Sequence, residues 1–246
     1  MKISVCIPMY NEGETCVRCA DALVLSMDNI CASHGWEWEA LFCDDGSTDK
    51  SRKLFEQKAP TPRYGTLKIT GYKENRGKGA AVRHAVMQTT GDVVVYTDCD
   101  LAYGTNVIEK AALLVADGAD MVLGSRNMDK SGYEGYSSAR KFVSKAYIKL
   151  ISVAAGFSLS DSQCGFKAFS GSAARKIFSV CTTNGFSFDL EVIKIAQKMG
   201  LRLIEMPVHI QNRDESRKSK VRVLRDSAKM IRDISRIKKH VKGLNI

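Results

Sequence analysis

The sequence has few prolines, 4 among 246 residues, and no long hydrophobic run. Its longest apolar stretch without a charged side chain, residues 150–160, is about half as long as a membrane-spanning helix. The apolar stretch at 3–9 is too short for a signal peptide. We therefore expect a protein that is neither secreted nor membrane-spanning and that is located in the cytoplasm. The composition, 44% hydrophobic and 26% charged, is that of a globular domain with a full core.

Aromatic residues are missing from the carboxy-terminal part, although this part is strongly basic. The last aromatic residue is Phe188, and residues 213–246 contain 12 Lys and Arg against 4 Asp and Glu, which is most of the formal net charge of +10. Such a basic segment can meet nucleic acid, an anionic membrane or a phosphate-bearing substrate. Nucleic-acid-binding proteins usually stack aromatic side chains on bases, so nucleic acid is the least favoured of the three.

The eight cysteines have neither the spacing of a disulfide scaffold nor that of a zinc site. Cys16 and Cys19 form one CxxC pair, but no second pair and no paired histidines follow to complete four ligands. We expect reduced, buried thiols instead.

Hydrophobic periodicity predicts alternating strands and helices in the first half of the chain. The clearest strand, 93–97, is continuously apolar or β-branched, as a centrally buried strand should be. The other predicted strands lie at 3–7, 40–43, 67–72 and 121–123, and the helices lie at 14–33, 79–89 and 106–115. This order implies an α/β fold with a mostly parallel sheet and helices on both faces.

The second half is less regular. We predict helices at 139–155, 172–181 and 189–199, and a strand at 203–210 that Pro207 assigns to a sheet edge. The last helix has a basic face and an apolar stripe, which is formed by Val221, Leu224, Ala228, Ile231, Ile234, Ile237 and Val241. We expect residues 1–212 to form one domain, and 213–246 to form a helix that lies on it or on an anionic membrane surface.

Polar residues follow four of the predicted strands, at 10–12, 44–47, 75–79 and 98–100. Parallel sheets bind ligands at the carboxyl ends of their strands, where the strand order reverses. A sheet that served only as a scaffold would not need polar clusters at these four ends. The sequence therefore predicts a binding site at this edge.

Two phosphate-binding patterns are nearly matched around Gly77, and both fail. Residues 77–82 have two of the three glycines of a dinucleotide-binding fingerprint, and they follow the third strand instead of the first. In the phosphate-loop pattern, Gly79 stands where Ser or Thr is required. A dehydrogenase and a phosphate-loop NTPase are thus disfavoured.

Asp98 and Asp100 follow the most buried strand and flank Cys99. Two carboxylates one residue apart can both turn towards one divalent cation once the chain leaves the strand. Mg²⁺ and Mn²⁺ prefer such oxygen ligands and keep positions open for diphosphate oxygens. The alternative is a pair of ordinary turn residues, and the position after a central strand favours the metal.

These motifs resemble those of the family-2 glycosyltransferases in order and spacing. The family's motifs correspond to 5–12, 44–49, 75–80 and 98–100. Residues 161–167 and 219–221 are similar to the branch that acts on polyprenyl phosphates, the dolichyl-phosphate glucosyl- and mannosyltransferases. The resemblance covers about residues 3–221 and implies a GT-A fold, in agreement with the sheet predicted above.

The resemblance implies a nucleotide sugar as donor. The residues that would line the base and ribose pocket are Pro8, Tyr10, Glu12 and Asp44. Asp45 would either help them or act as a turn residue. The backbone at Gly77 and Gly79 would approach the nucleotide, with Lys78 near the diphosphate, or would simply begin a helix. Cys99 is counted with the nucleotide site because it lies between the two aspartates.

By the same resemblance, Asp98 and Asp100 would hold Mg²⁺ or Mn²⁺, and Gln163 would be a further metal contact. The cation would neutralise the diphosphate leaving group, so that the anomeric carbon becomes the electrophile. A lipid phosphate is already ionised at neutral pH, so we expect no obligatory catalytic base, and Asp189 is expected to be structural or orienting. The family is inverting, which implies in-line displacement to a β-linked sugar phosphate.

A phosphate acceptor beside a diphosphate donor requires concentrated positive charge. The basic residues that match the family's motifs are Arg126, Arg140, Arg213 and Lys220, and Arg126 is expected to be catalytic together with Asp98 and Asp100. Arginine suits bidentate phosphate binding. For each of them a solvated surface position is the alternative, because a chain with 37 basic residues exposes most of them.

The predicted function is transfer of a hexose from a nucleotide sugar to polyprenyl or dolichyl phosphate, by a peripheral protein at the cytoplasmic face of a membrane. UDP-glucose is the first choice of donor and GDP-mannose is the alternative. Transfer to a glycan hydroxyl, with Asp189 or a neighbour as base, is a second enzyme hypothesis. A nucleic-acid-binding protein is the distant alternative, because it leaves the four polar clusters unexplained. A membrane-protein partner that supplies an anchor stays open.

Overall fold

The computed structural model describes residues 1–129, 145, 148, 150–156, 158–211 and 223–246, and for 223–231 it describes only the backbone. The strands form one sheet and are β1 (Lys2–Met9), β2 (Glu37–Asp45), β3 (Gly65–Tyr72), β4 (Val93–Tyr96), β5 (Met121–Ser125), β6 (Lys167–Ser170) and β7 (Leu203–Pro207). The helices with defined bounds are α1 (Thr15–His34), α2 (Ser51–Lys58), α3 (Lys78–Val86), α4 (Asn106–Ala116), α5 (Gly171–Val180), α6 (Phe188–Lys198) and α7 (Val223–Gly243). Residues 150–155 are also helical.

The strand order in the sheet is β3-β2-β1-β4-β6-β5-β7. Neighbouring strands run parallel except where β6 pairs with β4 and β5, and both of those pairs are antiparallel. The α/β class with a mostly parallel sheet is therefore confirmed. Because β7 lies at the end of the order, the edge position that Pro207 predicted is also confirmed.

Helices cover both faces of the sheet, as the sequence predicted. Side chains along a strand point alternately to the two faces. On β1, the side chains of Ile3, Val5 and Ile7 belong to the core with α1, α2 and α4, whereas Cys6 belongs to the core with α3, α5, α6 and α7. The sheet therefore has a full core on each face and leaves its carboxyl edge to the loops.

Two elements were not predicted from the sequence, α2 and β6. Only Ser51 and Phe55 of α2 are buried, so this eight-residue helix lacks the repeated apolar positions of a helix face. β6 has only four residues, and the first three are buried. Because it begins with the charged residue Lys167, its sequence does not have the apolar pattern of a buried strand. Such short elements are defined by their neighbours and leave no periodic signal in the sequence.

The strand order reverses between β1 and β4, since β2 and β3 lie on one side of β1 and β4 lies on the other. The carboxyl ends of these two strands flank the crevice in which parallel sheets bind ligands. Residues 10–12 follow β1 and residues 98–100 follow β4. Because β6 is antiparallel to β4, the residues just before Lys167 come to the same edge.

The last helix, α7, packs on the domain through its described side chains. Ile234, Ile237 and Val241 are buried in the core that α6 shares. The Ser187 hydroxyl, next to the start of α6, donates to the Asp233 carboxylate at 2.8 Å. At these positions the apolar stripe of α7 faces the domain and its basic face is directed outward.

Several expectations fall outside the described residues. They include the boundary between 1–212 and 213–246, residues 139–144 of a predicted helix, and the side chains at the start of the α7 stripe. No helix in the described part of the chain has the length and apolar character to cross a membrane. All eight cysteines are described, and each is a buried free thiol, in agreement with the sequence prediction.

Candidate active site

Hydrogen bonds from Asn11 and Glu12 join the loop after β1 to the loop after β2. The φ of Asn11 is +51°, a conformation that Asn adopts more readily than most residues. Its side-chain carbonyl accepts the N–H of Thr48 at 2.8 Å. The backbone N–H groups of Asn11 and Glu12 donate to the hydroxyls of Ser47 and Ser51, at 3.0 and 2.8 Å. The two loops thus form one wall of the crevice.

Asp45 is a buried carboxylate at the end of β2 that holds the next loop in place. It accepts the N–H groups of Arg76 and Gly77 at 2.9 Å each, the side-chain amide of Asn75 at 2.9 Å and the hydroxyl of Tyr72 at 2.7 Å. Burial and the hydrogen bond to Asp45 raise the pKa of Tyr72, which therefore stays protonated as the donor. The described contacts of Asp45 fasten the 75–77 loop to the sheet.

Gly77 and Gly79 permit a close approach between the start of α3 and a segment before α6. A Cβ on Gly77, whose φ is +104°, would lie 2.6 Å from the carbonyl oxygen of Asn184. A Cβ on Gly79 would lie 2.5 Å from the carbonyl oxygen of Thr183. The close approach at these glycines is therefore with the chain's own backbone, and it sets the position of Lys78 between them.

The facing segment is held by Glu191, a fully buried carboxylate on α6. It accepts the N–H groups of Thr182 and Thr183 at 3.0 and 2.6 Å. Burial raises the pKa of Glu191, but the hydrogen bonds from Cys181 and Thr183 outweigh burial and the net pKa is lowered. Glu191 is therefore an ionised anchor for the backbone that contacts the glycines of α3.

Lys78 joins the loop after β3 to the paired aspartates after β4. Its Nζ lies 2.5 Å from Oδ1 of Asp98. Burial lowers the pKa of Lys78, but the negative charges of Asp98, Asp189 and Asp100 outweigh burial and the net pKa is raised. Lys78 therefore stays protonated beside the two aspartates.

The three residues of the Asp98–Asp100 motif differ in exposure. The side chain of Asp98 is 39% exposed and Asp100 is exposed, whereas Cys99 is buried. A hydrogen bond with Cys19 and burial raise the pKa of the Cys99 thiol well above its ordinary value. The Cys99 side chain therefore belongs to the core and does not line the predicted nucleotide site.

The donor atoms at this edge suit a divalent cation such as Mg²⁺ or Mn²⁺. Gly165 lies directly against the Asp98 carboxylate, and a Cβ there would collide with Oδ2. The Nε2 atom of Gln163 is buried and has no hydrogen-bond partner among the described residues. Across the described part of the chain, no group of three His, Cys, Asp or Glu could hold a metal ion by itself. Asp98 and Asp100 therefore offer carboxylate oxygens to a cation that takes further ligands from a diphosphate, whereas the Nε2 atom of Gln163 is a hydrogen-bond donor and not a metal ligand.

Arg126, just after β5, forms a bidentate ion pair with Asp161. Its Nε and one terminal nitrogen donate to the two carboxylate oxygens at 2.6 and 3.0 Å. Asp161 is fully buried, and the Arg126 side chain is only 12% exposed. Burial lowers the pKa of Arg126, but Tyr103 and Asp161 outweigh burial and raise it. A permanently charged guanidinium is thus held in one orientation at the edge.

Asp189 is a buried carboxylate that is occupied by its own chain. Tyr96 Oη and Lys167 Nζ each lie 2.5 Å from its Oδ1, and Lys167 is fully buried. Burial and the charge of Asp189 raise the pKa of Tyr96 well above its ordinary value. Asp189 thus joins α6 to β4 and β6 beneath the site, which favours an orienting role over that of a base.

The structure brings most of the predicted site residues to one edge of the sheet. Pro8, Tyr10 and Glu12 are half-buried at the end of β1, and Asp44 is buried at the end of β2, where it accepts the N–H of Ser47 at 2.9 Å. The predicted phosphate-binding residues Arg140, Arg213 and Lys220 lie outside the described residues.

Two contributors to this edge had no role in the sequence prediction. Asp161, the partner of Arg126, lies in a motif that the sequence singled out, so an acid beside Gln163 was the available signal. Glu205 on β7 accepts the N–H of Ser160 at 2.9 Å, and nothing in its local sequence marks it. Its contact depends on the strand order and is visible only in the fold.

The sequence matches known proteins over most of its length. The family model described as glycosyl transferase family 2 matches residues 4–178. The dolichyl-phosphate beta-glucosyltransferase of Saccharomyces cerevisiae is 28% identical, over 94% of this chain and 72% of its own length. The dolichyl-phosphate beta-glucosyltransferase of Dictyostelium discoideum is 27% identical, over 96% of this chain and 73% of its own length. Glycosyltransferase AglD of Haloferax volcanii is 28% identical, but this chain covers only 35% of it.

The fold has solved relatives as well. Glucosyl-3-phosphoglycerate synthase from Mycobacterium tuberculosis, in complex with Mn²⁺, UDP and glucosyl-3-phosphoglycerate, superposes with a TM-score of 0.66 over 100% of this chain and 81% of that chain. The sequence identity is 18%, so this likeness concerns the fold, and it confirms the GT-A fold that the resemblance implied. The family model covers well over half of the 246 residues, and the chain belongs to glycosyl transferase family 2.

Proposed function

We propose that this glycosyltransferase moves glucose from UDP-glucose to dolichyl phosphate or a related polyprenyl phosphate. The observation that carries the proposal is the state of Asp189, which accepts contacts from Lys167 and Tyr96 while the cations Lys78 and Arg126 lie at the site above it. An occupied carboxylate is a poor general base, and a phosphate acceptor needs none. The names of the yeast and Dictyostelium relatives support the same acceptor and sugar.

On the donor side, the two joined loops after β1 and β2 would bind the nucleoside. Pro8, Tyr10, Glu12 and Asp44 would contact the base and ribose, and the loop that Asp45 fastens would close the pocket. Lys78, which stays protonated, would move its charge from Asp98 to the diphosphate as the donor enters. A divalent cation held by Asp98, Asp100 and the side-chain oxygen of Gln163 would supply the charge that stabilises the leaving diphosphate.

On the acceptor side, the Arg126 guanidinium would bind and orient the lipid phosphate. A phosphate oxygen attacks the anomeric carbon of glucose, and the bond from that carbon to the diphosphate oxygen breaks, with its electron pair leaving on UDP. No proton moves, because the attacking phosphate is already ionised. Attack from the face opposite the leaving group converts an α-linked donor into a β-linked glucosyl phosphate. Arg140, Arg213 and Lys220 would add to the positive charge at this side.

We also propose that the protein associates peripherally with a membrane through the basic face of α7, at the cytoplasmic leaflet, with residues 1–212 as the catalytic domain. Arg232, Arg236, Lys238 and Lys239 are exposed, whereas Ile234, Ile237 and Val241 of the apolar stripe are buried in the core that α6 shares. Attachment would therefore be electrostatic and would weaken as salt rises.

Co-sedimentation with lipid vesicles tests this proposal. The vesicles are prepared with and without phosphatidylserine, and binding of the parent chain and of the variant Arg236→Glu/Lys239→Glu is measured at low and at high salt. Equal binding of variant and parent to anionic vesicles would contradict it.

The reaction is tested by incubating the full chain with dolichyl phosphate and labelled UDP-glucose or, separately, labelled GDP-mannose, each with and without EDTA. We expect an acid-labile glycolipid from UDP-glucose that disappears with EDTA and returns when Mg²⁺ or Mn²⁺ is added. Glycolipid from GDP-mannose alone would reassign the donor. If the donor is hydrolysed and no glycolipid forms, the acceptor belongs to another class of molecule. If transfer continues in the presence of EDTA, the proposed role of the metal is contradicted.

A further inference from the structure

Glu205 lies on the edge strand β7, opposite Leu123 of β5, and has no role in the reaction as proposed above. Its Oε1 accepts three hydrogen bonds from one turn. The donors are the N–H and the hydroxyl of Ser160, at 2.9 and 2.6 Å, and the N–H of Asp161 at 3.3 Å. One carboxylate oxygen therefore fixes this turn to the edge of the sheet.

Ser160 extends this attachment to both sides of Arg126. Its Oγ lies 2.5 Å from Oγ of Ser125, and its carbonyl accepts the side-chain amide of Asn127 at 2.6 Å. Asp161, the next residue, holds the Arg126 guanidinium in the bidentate pair described above. The turn that Glu205 holds thus contacts Arg126 and the residues before and after it.

The same turn carries polar atoms that the described chain leaves unused. Ser162 Oγ and Gln163 Nε2 are both buried, and neither has a hydrogen-bond partner among the residues that the structure describes. The backbone N–H of Gln163 donates to Asp161 at 3.2 Å, so the turn itself is well ordered by hydrogen bonds. Buried polar groups are nearly always paired in native proteins, so these two atoms remain available for a further hydrogen bond at this turn.

We propose that Glu205 is a positioning residue for the acceptor side of the reaction. It holds the 160–163 turn so that Asp161 orients Arg126 towards the acceptor phosphate. This inference rests on the proposed function. The competing explanation is that Glu205 contributes only to stability, as a buried carboxylate elsewhere in the sheet would.

Glu39 provides the matched control, because its carboxylate also accepts a serine hydroxyl and a backbone N–H, from Ser4 and Thr90 at 2.7 Å each. We expect Glu205→Ala to raise the KM for dolichyl phosphate about tenfold and to change the KM for UDP-glucose less than about twofold. Glu205→Gln keeps one acceptor oxygen and should restore most of the affinity. Glu39→Ala should change neither KM.

A second readout needs no substrate. The Nε–H of Arg126 donates to Asp161, so its NMR signal should exchange slowly with water, and the Arg126→Lys variant identifies that signal. We expect about tenfold faster exchange in Glu205→Ala and no change in Glu39→Ala. If Glu205→Ala does not fold, Ser160→Ala removes the shared hydroxyl and should give the same KM split and the same faster exchange.

Three results would overturn the inference: unchanged exchange of the Arg126 signal, equal rises in both KM values, or the same kinetic profile in the Glu39 variant. A parent chain that transfers no sugar to dolichyl phosphate would instead contradict the proposed function. In that event the Arg126 signal alone decides whether Glu205 positions the guanidinium.

Discussion

The two ends of the sheet use buried carboxylates in different ways. At the amino ends of the strands, Glu39 accepts the hydroxyls of Ser4 and Thr90 and the N–H of Thr90, and Lys2 Nζ lies 3.4 Å away. These contacts join β2 to β1 and to the turn that precedes β4. The network binds strands to one another, and none of its side chains has a buried polar atom without a partner among the described residues.

At the carboxyl ends, Asp45 and Asp161 accept hydrogen bonds just as fully, but their donors belong to loops. At this end, buried polar atoms of Asn127, Ser162 and Gln163 have no hydrogen-bond partner among the described residues. The fold thus uses its buried polar groups differently at the two ends of the strands. The paired network at the amino ends accounts for its own polar groups, whereas the unpaired atoms beside the anchored loops are available to a ligand in the proposed site.

The strongest test of this division is Asp98→Asn, which keeps the size of the side chain and removes its charge. We expect transfer to fall about 10³-fold or more, because the cation and Lys78 both lose their partner. The matched control is Asp92→Asn, which alters the carboxylate that accepts the Lys2 N–H at 2.8 Å at the opposite end of the sheet. Assays with labelled donor, and calorimetric binding of UDP with Mn²⁺, measure both. Equal losses of activity in the two variants would contradict the proposed difference between the two ends of the sheet.

Asp45→Asn should have the next largest effect. All four groups around this carboxylate are donors in the described network, so an amide NH₂ would face other donors. We expect the free energy of unfolding to fall by about 3 kcal/mol and UDP affinity to fall with it, because the 75–77 loop is released. Asp28→Asn is the control, since Asp28 accepts the N–H groups of Arg63 and Tyr64 in a similar way far from the site. It should lose stability and keep UDP affinity, as urea titrations and calorimetry would show.

Arg126→Lys should have a smaller and more selective effect. Lysine keeps the positive charge but cannot make the bidentate contact with Asp161. The ammonium group that faces the acceptor phosphate would therefore not be held in one orientation. We expect the KM for dolichyl phosphate to rise by about 30-fold, roughly 2 kcal/mol, with the KM for UDP-glucose nearly unchanged. Steady-state kinetics with each substrate varied in turn measures this split. A rise in the donor KM alone would place Arg126 at the diphosphate instead.

Glu39→Gln should give the smallest effect and should leave catalysis unchanged. Burial raises the pKa of Glu39, but hydrogen bonds from Thr90 and Ser4 and the charge of Lys2 outweigh burial and lower it below its ordinary value. Its ionised form therefore stabilises the fold above the unfolded pKa, and this contribution is lost as pH falls through the lower folded pKa.

We accordingly expect Glu39→Gln to cost about 1–2 kcal/mol at pH 7 and progressively less below about pH 4. Urea unfolding of variant and parent between pH 7 and pH 3.5 measures the difference. A gap that stays constant over this range would show that the charge of Glu39 does not contribute. A change in kcat would show that the amino end of the sheet is coupled to the site.

Much of the fold and of the site's location could be predicted from local sequence. The strand at 93–97 and the Asp98–Asp100 pair after it are neighbours in the chain, so periodicity and strand ends were sufficient to find them. β6 was missed because four residues that begin with Lys167 show no strand pattern. Lys167 can be buried only because it forms an ion pair with Asp189, 22 positions later in the chain. Residue type alone does not reveal such pairing.

Local sequence was sufficient to predict most of the strands and helices, the family, and the edge of the sheet at which the polar residues gather. These properties depend on hydrophobic periodicity and on motifs a few residues long. Three features became visible only in the folded chain: Asp45 fastens a loop, the Cys99 side chain belongs to the core, and Glu205 reaches the turn beside Arg126. The roles of Asp45 and Glu205 depend on hydrogen bonds between residues 32 and 45 positions apart. Such partners become neighbours only when the strand order is set.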